Sequence, residues 1–185
     1  MRTPDRIYQL KITLKNVRPP IWRRILVSGK TALPELHFII QAVMGWHNCH
    51  LHSFEDGEVS YGERDTDFGL DELEDERRVK LQSIALAVGS KFEYLYDFGD
   101  GWQHTVLVEK VLTAAPGGVY PVCITGKRAC PPEDCGGAWG YVDFLEAISN
   151  PEHENHDEMQ EWIGEGFDSE AFNLNVVNAM LSQPG

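Results

Sequence analysis

The sequence predicts an α+β fold in which a mainly antiparallel sheet is followed by C-terminal helices. Strand-like alternation of apolar and polar residues dominates up to residue 112 of the 185-residue chain, and helical spacing dominates the end. The strands follow one another through short turns instead of alternating with helices, which favours antiparallel pairing. The order of β-hairpin, helix and further strands is typical of a β-grasp-like or roll arrangement.

Three hairpins account for the predicted sheet. Residues 6–14 and 21–29 are predicted strands, joined by a connection whose two prolines cannot sit inside a ladder. Residues 50–63 predict two short strands around the turn at Asp56 and Gly57. Residues 91–97 and 102–112 form the third predicted hairpin.

Helices are predicted where apolar residues recur every three or four positions. Residues 31–46 have such a stripe, with Thr31 as a candidate cap, Pro34 in the first turn and Gly45 as a left-handed closure. A short helix is predicted over 79–90. Three further helices are predicted over 141–150, 151–166 (opened by Pro151) and 172–181.

Two segments are predicted to lie outside regular elements. Residues 63–78 are charge-rich, and residues 114–140 hold many prolines and glycines with three of the four cysteines. The whole chain, 1–185, is expected to be one domain. Its parts are a sheet with packing helices (6–112), a Pro/Gly/Cys-rich loop (113–140) and C-terminal helices (141–182).

Composition argues against two classes of function, nucleic-acid binding and membrane insertion. The net charge is −13, from 29 acidic and 16 basic residues, whereas nucleic-acid binders present a basic face. DNA binding would need a local basic strip, for which the candidates are Lys11, Lys15, Arg18, Arg23 and Arg24. No apolar run approaches the roughly 20 residues that span a bilayer, and the N-terminus lacks a signal-peptide core. We therefore expect an acidic cytoplasmic protein with no membrane or nucleic-acid partner, and with a protein or peptide as the possible partner.

The stretch YLYDFGDGWQHTVLVE (94–109) concentrates groups that can do chemistry in one tight turn. Asp97 and Asp100 can each accept a backbone N–H within the turn, and Trp102 and His104 project from one face of the returning strand. The arrangement fits a well-made turn with packed aromatics. It also fits a carboxylate–imidazole cluster for acid–base chemistry or metal binding.

Two further clusters contain metal-ligand residue types. The stretch WHNCHLHSF (46–54) holds His47, Cys49, His50 and His52, and His50 and His52 share a face of the predicted strand. The second cluster is Cys123, Cys130 and Cys135. The spacing of Cys130 and Cys135 comes near the pattern of zinc sites, and Cys123 is farther off. A zinc site drawn from His50, His52, His104, Cys123, Cys130 and Cys135 is chemically sensible. The alternative is that the cysteines are buried thiols, the histidines pack or face solvent, and the glycines of CGGAWGY allow close backbone packing.

The order of five segments resembles the plasmid pRiA4b ORF-3-like family. These segments are IYQLKITLKNVRPPIWRRILV, HLHSFE, YLYDFGDGWQHTVLVEK, RACPPEDCGGAWGYVDFLEAI and FDSEAFNLNVVNAML. The resemblance covers roughly residues 6–181. It implies a compact α+β domain of bacteria and archaea, with motif positions that include His50, His52, Asp97, Asp100, Trp102, His104, Glu133, Asp134 and Tyr141. Some family members carry a transposon-resolvase-type label, but this chain shows neither the activated serine among arginines nor the basic domain that such an enzyme needs.

Three functions remain open on this basis. The first is a non-enzymatic binding domain, possible in a mobile-element context, that recognises a protein or peptide in a groove. The groove residues would be His50, His52, Asp97, Asp100, Trp102, His104, Glu133, Asp134 and Tyr141. The second is a zinc protein. The third is a metal-assisted hydrolase with Asp97, Asp100 or Glu133 as the base.

Overall fold

The computed structural model describes residues 5–64, 72–164 and 166–183, and these contain an eight-stranded sheet. The strands are β1 (Arg6–Leu14), β2 (Trp22–Ser28), β3 (His52–Asp56), β4 (Val59–Gly62), β5 (Glu74–Asp75), β6 (Lys91–Tyr96), β7 (Trp102–Thr113) and β8 (Val122–Lys127). Their order is β5-β4-β3-β6-β7-β1-β2-β8, and only β4 and β5 pair in parallel. The predicted mainly antiparallel sheet and its three hairpins are confirmed.

Two helices follow the early strands and three follow the sheet. They are α1 (Leu33–Met44), α2 (Leu81–Ile84), α3 (Gly137–Ser149), α4 (His156–Ile163) and α5 (Leu174–Leu181), and a 3-10 turn spans Glu76–Arg78. The predicted α+β class with C-terminal helices is confirmed. Within the described ranges, no helix is both long and apolar enough to cross a membrane.

The alternation of β1 decides which face of the sheet is covered. Tyr8, Leu10, Ile12 and Leu14 are buried in the core, as the even-numbered apolar positions predict. The intervening polar residues lie on the other face, where Gln9 and Arg24 both bind the carboxylate of Glu109. The sheet therefore has one apolar face packed into the core and one polar face.

Helix α1 follows the prediction except at its cap. Pro34 lies in the first turn, and Gly45 ends the helix at φ 102°. The N-cap is Ala32, which makes no side-chain cap bond, and Thr31 is buried beside it. Thr31 instead belongs to the β2–α1 loop, because its backbone carbonyl accepts the N–H of Leu81.

The helix predicted over 79–90 is wrong in length. Only residues 81–84 are helical, and beyond them Leu86 and Val88 are largely exposed. The apolar residues of this stretch therefore do not form one buried stripe, which is what a longer surface helix would need.

The loop predicted over 114–140 contains a strand and a helix start. β8 pairs with β2 at the sheet edge, where a strand needs only one neighbour, and α3 begins at Gly137 instead of residue 141. Pro151 lies in a turn before α4, which begins at His156. The charge-rich stretch 63–78 includes β5 and the 3-10 turn, while residues 65–71 lie outside the described residues.

Two of the five residues of the candidate basic strip, Arg23 and Arg24, are engaged within the fold. Arg23 is buried, and its guanidinium donates to the carbonyls of Val43, Trp22 and Lys127. Arg24 is held by Glu109, with Nε–Oε2 at 2.5 Å. Both side chains are therefore committed to internal contacts.

Candidate functional site

Three loops meet at one end of the sheet. They are the segment 47–51 before β3, the β6–β7 turn (97–101) and the segment 130–137 before α3. The N–H of Asp97 binds the carbonyl of Leu51 at 2.9 Å, and the N–H of His47 binds Glu133 at 2.9 Å. The segments that the sequence suggested as a common site are thus neighbours in space.

Asp97 shapes the turn with one carboxylate oxygen and faces the site with the other. Its φ is 57°, in the left-handed region that Asp tolerates better than most residues. Oδ1 accepts the N–H groups of Gly99 (2.9 Å) and Asp100 (3.3 Å), as the sequence predicted. Oδ2 lies 3.7 Å from Nε2 of His50. The turn therefore holds a buried carboxylate at a fixed position beside an imidazole.

Asp100 does not bond within its own turn, which corrects the prediction. Its Oδ2 accepts the N–H of Gly136 at 3.1 Å, so it joins the turn to the segment before α3. A Cβ on Gly137 would overlap the carbonyl oxygen of Asp100. The predicted close backbone packing of the CGGAWGY glycines is therefore confirmed.

His50 lies among three carboxylates. Its Nε2 is 3.1 Å from Oδ1 of Asp134, 3.7 Å from Oδ2 of Asp97 and 3.9 Å from Oε2 of Glu133. This nitrogen is shielded from solvent, and no group in the described ranges forms a well-aligned hydrogen bond with it. His50, Asp97 and Asp134 each place one ligand-type atom within 4.8 Å of the others. We call these three residues the His50 centre.

Glu133 is positioned beside the His50 centre by other loop residues. The hydroxyl of Tyr96 donates to Oε1 of Glu133 at 3.1 Å and accepts the N–H of Cys49 at 3.0 Å. Burial raises the pKa of Tyr96, so the phenol remains a donor at neutral pH. Nε1 of Trp46 donates to the carbonyl of Pro131 and fixes the start of this segment.

An open cleft of about 840 Å³ adjoins the His50 centre. Its walls come from α1, the segment before β3, the 3-10 turn and the β6–β7 turn. The side chains with polar or aromatic groups are His37, Phe38, Asn48, His50, His52, Glu63, Glu76, Arg77, Asp97 and Phe98. His50 and Asp97 thus belong both to the cluster and to the cleft wall.

His52 lies in this cleft but has a different partner from His50. His52 is the first residue of β3, whereas His50 lies in the preceding loop. Nε2 of His52 is 3.0 Å from Oε2 of the buried Glu76, and its ring stacks on that of His37 at 3.5 Å between centroids. The His52–Glu76 pair is therefore a second imidazole–carboxylate contact in the cleft.

His37 anchors a closed polar ring that sequence reasoning missed. Its Nε2 contacts Oδ1 of Asn48 at 2.6 Å and its Nδ1 contacts the hydroxyl of Tyr94 at 2.8 Å. Gln41 closes the ring, because it donates to Tyr94 and accepts the N–H of Asn48. Burial lowers the pKa of His37 to about 3, so the imidazole is neutral. His37 and Gln41 lie four positions apart on the otherwise apolar stripe of α1. Polar residues at these positions are the signal from which the sequence could have predicted the ring.

A family model for plasmid pRiA4b ORF-3-like proteins matches residues 6–176. The chain belongs to this family. A relative from Sinorhizobium fredii, named uncharacterized protein y4hQ, is 43% identical over 174 residues, which cover 93% of this chain and 89% of the relative. The crystal structure of a protein of unknown function, MM3350 from Methanosarcina mazei Go1, matches with a TM-score of 0.84 and 39% identity. This match covers 94% of this chain and 98% of that chain. These names state no activity, so function has to be argued from the site.

Three of the predicted groove residues lie beneath the loops and not on the cleft. Trp102, His104 and Tyr141 are each at most 1% exposed, so they offer no surface to a ligand in a groove. The ring of Trp46 packs against Trp102 and His104, with centroids 5.9 and 5.3 Å away. Burial lowers the pKa of His104 to about 4, so this imidazole is neutral at physiological pH. These residues support the loops from the core.

The cysteines are separate from the His50 centre. Cys123 is buried in β8, while Cys130 and Cys135 are half-buried in the segment before α3. Burial raises the pKa of all three thiols, for Cys135 to about 12. No cysteine belongs to a group of three ligand-type atoms within 4.8 Å in the part of the chain that the structure describes. The predicted ligand set is thus divided: His50 joins carboxylates, His52 pairs with Glu76, and His104 is in the core.

Proposed function

We propose that the protein binds a divalent cation at the His50 centre and uses it for hydrolysis in the adjoining cleft. One observation carries the proposal: an imidazole nitrogen and two carboxylate oxygens lie within 4.8 Å of one another beside an open cleft. One nitrogen and two oxygen donors suit Zn²⁺, Mn²⁺ and Fe²⁺. Three protein ligands also leave positions for water and substrate, as in catalytic zinc sites.

Glu133 would act as the base in this reaction. Its carboxylate lies 3.9 Å from the ligand nitrogen of His50 and is oriented by the Tyr96 hydroxyl. A cation held by His50, Asp97 and Asp134 would supply Lewis-acid activation of water. Glu133 would accept a proton from the attacking water, whose oxygen would bond to the electrophilic carbon or phosphorus of the substrate. The bond to the leaving group would break, and that group would receive the proton from Glu133.

Calorimetric titration of chelator-treated protein with Zn²⁺ and with Mn²⁺ tests the proposal. We expect one site per chain and an affinity loss of at least about 100-fold in His50→Ala, because a direct ligand is removed and loss of even an outer-shell partner costs about 10–100-fold. His47→Ala is the matched control, because His47 is an exposed histidine of the same loop and is outside the His50 centre. Cys130→Ser should likewise retain the cation. Equal affinities for His50→Ala and wild type would overturn the proposal.

A second candidate function is peptide binding in the same cleft. Phe38 and Phe98 on its walls are 47% and 40% exposed, so both rings are accessible to a ligand in the cleft. Exposed aromatic rings on a concave wall are typical anchors for a peptide side chain. Selection of displayed peptides tests this candidate: binders should lose affinity on Phe98→Ser and keep it on His50→Ala in the presence of chelator. Peptides that bind all three proteins equally would argue against it.

A further inference from the structure

A second cavity lies between α3, α4 and the end of the segment before α3. Its volume is about 450 Å³, within the range of small-molecule pockets. Its lining includes three acidic side chains, two aromatic ones and a methionine: Asp134, Asp143, Phe144, Glu158, Met159 and Trp162. We call this cavity the α3–α4 pocket.

Aromatic rings form one wall of the α3–α4 pocket. Phe144 and Trp162 meet edge to face, with centroids 5.6 Å apart and planes at 80°. Phe167 packs against Phe144 at 5.4 Å and supports it from behind. Phe144 is buried whereas Trp162 is 46% exposed, so a large indole surface remains accessible next to the cavity.

The charges around the pocket have one sign. Asp134, Asp143 and Glu158 line it, and no lysine or arginine does so among the described residues. Neither Asp143 nor Glu158 has an ion-pair partner within the described ranges. His153 also lines the pocket, and its Nδ1 already accepts the N–H of Asn155.

We propose that the α3–α4 pocket binds an organic cation, an alkylammonium or guanidinium group on an apolar stem. Aromatic faces attract such a cation through their quadrupole, and the carboxylates at the rim complement its charge. The cation would lie over the exposed face of Trp162, and the aliphatic stem would lie against Met159. A small inorganic ion would gain nothing from these apolar walls, so the pocket is matched to an organic ligand.

The α3–α4 pocket adjoins the proposed catalytic centre, and the two sites share one residue. Asp134 lines both, because it contacts His50 and also borders the pocket. Asp143, Glu158 and Trp162 border only the pocket. Substitutions at these three residues therefore test the second site while the His50 centre remains intact.

Calorimetry with butylguanidinium, in the presence of a chelator, tests the proposal. Butylurea is the matched probe, since it has almost the same shape without the charge. We expect butylguanidinium to bind at one site with a Kd at least tenfold lower than that of butylurea. Asp143→Asn combined with Glu158→Gln should raise the Kd for butylguanidinium at least tenfold, and Trp162→Leu should also weaken it.

The control is Glu154→Gln combined with Asp157→Asn. It also removes two negative charges, from α4 and from the turn before it, but neither residue lines the pocket. This control should bind butylguanidinium like wild type. Equal binding of the two probes, or an equal loss in the control and the pocket variant, would overturn the proposal. A blocked Gly-Arg-Gly peptide then distinguishes the sources of the cation. Tighter binding of the peptide would assign the pocket to an arginine of a protein partner, and tighter binding of butylguanidinium would assign it to a free small molecule.

Discussion

Asp97 has two roles that a pair of substitutions can separate. One oxygen holds the turn through the N–H groups of Gly99 and Asp100, and the other faces His50. Asn tolerates the left-handed conformation and keeps an accepting oxygen, so Asp97→Asn should change the free energy of unfolding by less than about 1 kcal/mol. It should still weaken Mn²⁺ binding at least tenfold, because the amide carries no charge. Urea unfolding and calorimetric titration give the two quantities.

Asp97→Ala is the comparison for this prediction. It removes the acceptor and places a residue that disfavours positive φ at 57°, so it should cost about 2 kcal/mol as well as the cation affinity. If both variants destabilise the fold equally, the turn depends on the charge and not on the accepting oxygen. If Asp97→Asn binds Mn²⁺ like wild type, Asp97 is not a ligand.

At the residue scale, the sequence predicted hydrogen bonds between residues that are close in the chain, but not contacts between distant segments. The turn role of Asp97 follows from the Asp and Gly pattern of residues 97–101, and it is observed. The partner of Asp100 depends on where a segment 36 residues away packs, and no local pattern contains that information. The same holds for His52, whose partner Glu76 lies in a charge-rich stretch that predicted only a loop.

At the scale of elements, the junction of the β6–β7 turn with α3 depends on Gly137. Its φ is 70°, and a Cβ there would overlap the carbonyl of Asp100. Gly137→Ala should therefore cost more than about 3 kcal/mol, because backbone strain adds to a clash with atoms that have little room to move. Thermal or urea unfolding measures this cost, and the cation affinity of the folded fraction should also fall as the segment 130–137 shifts.

Gly45→Ala is the matched control for Gly137→Ala. Gly45 also has positive φ, 102°, but a Cβ there would meet no atom within 4 Å. Only the conformational cost of about 1 kcal/mol should remain. Equal destabilisation by the two substitutions would mean that the packing of Gly137 on Asp100 contributes nothing.

The elements themselves were predictable to different extents. The strands β1, β2, β6 and β7 have strong alternation and turn residues at their ends, and they lie where the pattern predicts. β8 lies among prolines and glycines, and its strand state comes from pairing with β2 at the sheet edge. The early start of α3 likewise depends on the packing of Gly136 and Gly137, which is a tertiary effect.

For the whole molecule, two buried histidines predict how stability depends on pH. Burial lowers the pKa of His37 to about 3 and that of His104 to about 4, whereas the pKa of a histidine in the unfolded chain is about 6.5. The unfolded state therefore binds more protons below about pH 6.5, and the free energy of unfolding falls as the pH decreases from 7 towards 4. Each histidine contributes a slope of up to about 1.4 kcal/mol per pH unit.

The net charge of −13 produces the opposite trend at lower pH, and this sets the window for the measurement. Protonation of carboxylates relieves repulsion in an acidic protein, but ordinary carboxyl groups titrate near pH 4. Between pH 5 and 7 the histidines should therefore decide the slope. Urea unfolding across this window should show a shallower slope in His37→Gln and in His104→Phe, with the exposed His47→Ala as the control. If both variants keep the wild-type slope, neutral buried histidines are not the cause, and other groups must take up the protons on unfolding.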